Sequence, residues 1–265
     1  MKTTDAGLQG PLVTLAVILL TIGSLLAGSS AHGELLFSDS FDYQSGSLNG
    51  KGPPPQSPPG QGGWVTINQN PRVAPSGLDF PGIRSDGKSA QLFSMPEGVS
   101  DEAVAAVGPV TPDIGTVWVG FLTRRSDDLR SRGGFAVVAL IGPSILDPSL
   151  GIGMLFETNR YGLDNDTGER GSRSITSVPV NMATTWLVTK LDFATGQEYL
   201  WVDPSPDMEP DITTADAQLP MTPEFQAAGF PYVRLRVGYT HASFQFDELR
   251  VGTTFADLVE PEEGH

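Results

Sequence analysis

There is no cysteine anywhere in the 265 residues. That absence excludes a disulfide framework, a thiolate zinc site and a thiol nucleophile. Positive charge is also scarce: 16 basic residues face 31 acidic ones, for a formal net charge of −15. A nucleic-acid partner, whose phosphates need a basic footprint, is therefore excluded, and so is adhesion to anionic lipid. The plain reading of the acidity is solubility; cation binding is the sharper one. Helical periodicity is nearly absent too. Only one long apolar run occurs, residues 12–28, behind Lys2 and ahead of Ser29 and Ala31. A charged start, an apolar centre and a small-residue exit make residues 1–31 an expected signal peptide. The run is shorter than the ~20 residues a spanning helix wants, so the expectation is export without a stable membrane span. Asp5 weakens the positive start, which keeps retention as an anchor open.

What remains, residues 32–265, suits one domain, since β-sandwiches and barrels often run to about 200–250 residues. The stretch 49–63 holds five prolines and five glycines. Too little chain precedes it to fold alone, so it reads as a loop within the domain rather than a linker.

Strand-like segments recur after it, separated by Gly, Pro, Asp and Asn. The clearest are 64–67, 90–94, 116–123, 135–141, 151–157, 185–193, 198–203, 233–239 and 244–251. Ala194-Thr195-Gly196 is expected to turn a hairpin. Short helices are expected at 101–107, 223–228 and 254–258, the last capped by Thr253 or Thr254. In 116–123, Val117, Val119 and Phe121 alternate with Trp118 and Leu122, so both faces are apolar and the strand is central. In 233–239, Val233, Leu235 and Val237 alternate with Arg234 and Arg236, giving one buried and one wet face. Strict alternation in the last strand puts Phe244, Phe246, Glu248 and Arg250 together, and Arg236 is expected opposite Glu248. The fold class that follows is all-β, a two-sheet antiparallel jelly-roll sandwich with few short helices.

Several stretches resemble a known group. These are Phe41-Asp42-Tyr43 with Gly46-Ser47-Leu48-Asn49-Gly50, then Leu187 to Phe193, then Leu200-Trp201-Val202-Asp203-Pro204 with Glu209-Pro210, and the ending Phe246 to Asp257. Together they are similar to uncharacterised secreted bacterial proteins of the concanavalin A-like lectin/glucanase superfamily, the laminin-G-like jelly rolls. The resemblance implies a concanavalin A-like sandwich and no particular activity. Many such proteins end in a Pro-Glu-Pro sorting signal and a membrane segment; this chain has Pro261-Glu262-Glu263 without that segment.

Enzymatic signatures are missing. The Glu-x-Asp-x-x-Glu run of the glucanases, which sets two carboxylates on one strand face, does not occur. Nor does a nucleophile elbow, a phosphate loop or a His-Glu-x-x-His helix. The histidines, His32, His241 and His265, are not spaced as a metal pair. The candidate metal ligands are Asp164, Asp166 and Glu169, whose Asp-Asn-Asp-Thr-Gly-Glu run resembles the opening of a Ca²⁺ loop, with an ordinary turn as the leading reading. For a ligand face the candidates are Trp201 with Tyr199, and Phe244, Phe246 and Arg250 with Arg236. Aromatic rings stack on sugar faces and polar groups fix hydroxyls, although most large aromatics in a sandwich are core. The leading expectation is an exported, secreted, periplasmic or surface-held module that binds a glycan or surface polymer, with Ca²⁺ as an optional helper. A structural or adhesive envelope protein, and a glycan hydrolase or lyase with an unrecognised site, stay open.

Overall fold

The computed structural model describes residues 33–52, 63–67, 71–83, 85, 87–93, 100–127, 134–143, 149–166, 172–240 and 242–259, all but the side chain of Asp166. The expected signal peptide and the middle of the Pro/Gly-rich stretch lie outside them. In chain order the strands are β1 Leu35–Asp39, β2 Gly46–Ser47, β3 Val65–Ile67, β4 Arg72–Ala74, β5 Ser89–Phe93, β6 Ser100–Val110, β7 Thr116–Arg125 and β8 Phe135–Ile141. There follow β9 Ser149–Met154, β10 Arg160–Asp166, β11 Arg173–Pro179, β12 Thr185–Asp192, β13 Gln197–Val202, β14 Ala217–Pro220, β15 Phe230–Gly238 and β16 Ser243–Gly252. One short helix, α1 (Pro223–Ala228), interrupts them.

All these strands pair antiparallel in two sheets. The nine-stranded sheet runs β14-β13-β12-β7-β16-β5-β4-β2, with β1 also on β16; the seven-stranded sheet runs β11-β10-β9-β8-β15-β6-β3. Side chains from both inner faces fill one core, including Val117, Val119, Phe121, Leu187, Leu200, Val233, Leu235 and Val237. This is the two-sheet sandwich that the alternating apolar pattern predicts. β7 lies between β12 and β16, and both its faces are buried, because a second cluster covers the outer face of the nine-stranded sheet. That cluster holds Trp118, Leu122, Trp186, Val188, Tyr199 and Trp201, roofed by Leu78, Ile83, Phe255 and Leu258.

Local chemistry explains the connections. Gly196, at φ 66°, takes the left-handed turn of the β12–β13 hairpin, and Asp192 Oδ1 accepts the Thr195 N–H at 3.0 Å. Thr222 caps α1 by accepting the Phe225 N–H at 3.1 Å. The Pro/Gly-rich stretch closes at its own base, where Gly50 N–H donates to the Trp64 carbonyl and Trp64 N–H to that of Lys51.

Four expectations fail locally. Residues 101–107 are the middle of β6, not a helix, because their alanines and valines alternate across a sheet face. At 256–258 a 3₁₀ turn forms whose N-cap is Phe255, without any side-chain cap from Thr253 or Thr254. Arg236 cannot meet Glu248, since β15 and β16 belong to different sheets; it pairs with Glu102 of β6 at 2.8 Å. Alternation also breaks inside β16. The register shifts between Asp247 and Arg250, with Glu248 at φ 47°. This bulge keeps Phe244, Phe246, Leu249 and Val251 all in the core and sets Arg250 apart from the two phenylalanines.

Candidate functional site

The sequence-derived ligand candidates separate once placed. Phe244 and Phe246 are fully buried between the sheets, so they are core and not a ligand surface. Arg250 is buried on the other side of the bulge and bonds Glu248 Oε2 at 3.1 Å. Arg236 lies on the seven-stranded sheet, its guanidinium 4.8 Å over the Phe135 ring and also held by Glu102. Among the proposed metal ligands, Asp164 is in a strand and takes Arg173 Nε at 2.7 Å. The expected turn is therefore β10 as far as Asp166, with the buried Asn165 donating to the Pro220 carbonyl at 2.7 Å. Glu169 and the side chain of Asp166 lie outside the described residues. Among the described residues no three His, Asp or Glu side chains gather to hold a metal.

Tyr199 and Trp201 do come together. They alternate outward on β13 while Glu198 and Leu200 alternate inward, so β13 offers an aromatic ladder to the outer face. Trp201 stacks on Trp118 at 5.7 Å and on Tyr199 at 6.2 Å. Phe255 meets the edge of Trp118 at 5.5 Å. These contacts leave Trp201 only 3% exposed, so its ring cannot carry a sugar face to face. Its role is to build a wall. Trp201 Nε1 donates to the Asp211 carbonyl at 3.2 Å and to Thr214 Oγ1 at 3.3 Å, which folds segment 204–216 back over the sheet edge.

That fold borders an open pocket of about 330 Å³, at the small end of ligand cavities. Trp201, Val202, Pro204, Met208 and Pro210 give it apolar walls, and Ser205, Asp211, Thr214 and Asp216 give it polar groups. Met208 is 72% exposed at the rim. Asp216 Oδ2 accepts the Val202 N–H at 2.8 Å, and Asp211 Oδ1 accepts both the N–H and the hydroxyl of Thr213 at 2.7 Å. The Thr213 hydroxyl, then its N–H, hold the Asp211 carboxyl below its ordinary range, so it stays charged. Asp203 sits beside the pocket with its Oδ1 accepting the Trp186 N–H at 2.8 Å. Partial burial, and then the charge of Asp216, push its carboxyl upward. The sequence had singled out Trp201. It gave no sign of Met208, Asp211 or Asp216, because a Pro/Asp-rich run is compositionally indistinguishable from any loop.

Other displaced carboxylates have structural duties. Asp247, pushed up to about 7 chiefly by burial, accepts the N–H of Leu78 and the Ser85 hydroxyl on Oδ2, and so ties the roof segment to β16. Asp39 is raised by burial against the pull of Trp64, Tyr43 and Phe41, which all donate to it. Glu198 is buried between the sheets and raised to about 8 by burial.

No protein-family model matches the chain, and no curated protein matches it. Solved structures do. A carbohydrate esterase of the Shiga toxin-encoding bacteriophage phi24B aligns with TM-score 0.52 and 13% identity, over 83% of this chain and 98% of that one. The globular domain of T. cruzi calreticulin aligns at 0.49 and 13%, over 83% and 88%. The botulinum neurotoxin DC binding domain in complex with SialylT aligns at 0.45 and 9%, over 72% of this chain and 42% of that one. At this identity the likeness to the esterase bears on the fold alone, and it agrees with a sandwich of two antiparallel sheets.

Proposed function

We propose that this chain is an exported, non-catalytic module that binds a glycan or surface polymer through the pocket at the edge of the nine-stranded sheet. One observation carries the reading: the pocket combines apolar walls on a rigid aromatic stack with several hydroxyl and carboxylate groups converging from one loop. This is the composition that a sugar residue needs, with an apolar ring edge to cover and hydroxyls to fix. The named lectin-like neighbours support such a role by analogy of fold only. Among the described residues, Asp39, Asp203 and Asp247 each accept a backbone N–H and Glu198 is enclosed between the sheets, while Asp203 is raised in part by Asp216 at the pocket. A glycan array probed with the full chain, with and without added Ca²⁺, tests the reading. Binding that Met208→Ala weakens supports it. Silence in both conditions overturns it.

A further inference from the structure

We infer that the β13–β14 edge of the nine-stranded sheet is a proton-operated latch: protonated Glu198 lets β14 close the sandwich, and loss of that proton releases β14 together with the pocket loop that leads into it. The latch is a property of the fold and does not depend on what the pocket binds.

It rests on the surroundings of Glu198. This side chain points inward from β13, between Leu191 on β12 and Leu219 on β14, and is 0% exposed. Among the described residues neither of its carboxyl oxygens has a hydrogen-bond partner. The hydroxyl of Thr189, its diagonal neighbour on the inner face of β12, has none either. No charge faces Glu198 from the elements around it. β14 carries only Ala217, Gln218, Leu219 and Pro220. Lys190 and Asp192 alternate onto the other face of β12. β10, packed against β13 and β14, turns Tyr161, Leu163 and Asn165 inward, while Asp164 pairs with Arg173 on the outer side. The Tyr161 hydroxyl bonds Thr185, and Glu224 on α1 is exposed. Burial alone therefore raises the Glu198 carboxyl, to about 8. A charged Glu198 needs water, and the cheapest way to supply it is a local opening.

β14 is the wall that yields. β12 is paired on both sides, with β7 and with β13. β14 is four residues long and pairs with β13 alone. Two side chains from the other sheet tie it: Ser174 Oγ accepts the Gln218 N–H at 3.2 Å, and Asn165 Nδ2 donates to the Pro220 carbonyl at 2.7 Å. A short edge strand opens far more readily than a central one. Its release also disturbs the pocket. Just ahead of β14, the Asp216 N–H donates to the Leu200 carbonyl at 2.8 Å, and Asp216 Oδ2 accepts the Val202 N–H at 2.8 Å. Thr214, which holds the Trp201 indole, lies in the same segment. The edge is thus closed in acid and loosens as pH rises toward 8.

Hydrogen exchange on the full chain, read by NMR at the Asp216 and Val202 amides from pH 5 to 8 and corrected for intrinsic exchange, tests the latch. The closed edge keeps the proton and the open edge restores the ordinary value of 4.5, so the opening constant is expected to rise about tenfold per pH unit. Low urea should leave this opening almost unchanged, while the amides of β7 stay about a hundredfold more protected. In Glu198→Gln and Glu198→Leu the rise is expected to vanish. An opening constant that does not change with pH in the unsubstituted chain overturns the inference. So does exchange at Asp216 and Val202 only together with β7, in a single urea-sensitive unfolding. A rise that survives in both Glu198 variants overturns it too, and moves the proton to another group such as Asp203.

Discussion

Two buried carboxylates on the same nine-stranded sheet have opposite surroundings. Asp39 on β1 accepts the Trp64 indole N–H at 2.6 Å, the Tyr43 hydroxyl at 2.7 Å and the Phe41 N–H at 2.7 Å. Glu198 on β13, 0% exposed, has no hydrogen-bond partner on either oxygen among the described residues. Its register neighbours are Leu191 on β12 and Leu219 on β14, both core residues. A buried polar group is tolerated when its partners are built in, and otherwise avoids charge by keeping its proton. Asp39 therefore acts as a stitch that ties β1 to the base of the Pro/Gly-rich stretch through Trp64. Glu198 is a neutral acid in the core, on the same strand as the pocket wall Trp201.

The comparison breaks first at Asp39. Asp39→Ala would orphan three donors, one on the fully buried Trp64 and one on the half-buried Tyr43, and is expected to cost about 3–5 kcal/mol in denaturant unfolding. A loss under 1 kcal/mol would remove the stitch from the account. Glu198 predicts the opposite sign. Its ordinary pKa is 4.5 and its folded value about 8. Below pH 4.5 both states hold the proton and the group adds no pH dependence. Between pH 4.5 and 8 the unfolded chain releases the proton while the folded chain keeps it, so stability falls as pH rises, by up to about 5 kcal/mol in all. Above pH 8 the dependence levels off. Glu198→Leu is expected to gain about 4 kcal/mol more at pH 8 than at pH 4.5, which urea titrations at the two values would measure. Asp247, also raised, contributes a dependence of the same sign over a range ending near pH 7. Asp247→Asn should therefore flatten the profile only below that point, and should cost about 1–2 kcal/mol where it weakens the tie to Leu78 and Ser85. Tyr43→Phe sharpens the picture at Asp39, with an expected loss of about 1 kcal/mol for one of three donors. Met208→Ala, at an exposed rim, should change stability by less than about 0.5 kcal/mol, so any lost binding would be a local effect.

The legible strands were those dense in branched and aromatic residues: β7, β8, β12, β13 and β15 all fall where alternation predicts them. β9, β10 and β11 were harder, since Gly151, Gly153 and Gly162 and the Asp164-Asn165-Asp166 run carry turn chemistry into strand interiors. Their place in the sheet comes from pairing on both sides, which composition does not encode. β6 was misread as a helix for a related reason: alanine suits either structure, and only its partners β15 and β3 decide. The ligand candidates suffered from the bulge in β16. One extra residue reverses which side chains share a face, and no local signal marks it.

By itself the sequence determined the layered β architecture, the central position of β7, the hairpin at Gly196 and the short helix at 223–228, because side-chain periodicity and turn chemistry act over a few residues. Only the tertiary structure decided which strands share a sheet, that Asp39 is satisfied and Glu198 is not, and that Trp201 walls a pocket with Asp211 and Asp216. Those depend on contacts between residues distant along the chain or across a folded loop, where no local spacing records who meets whom.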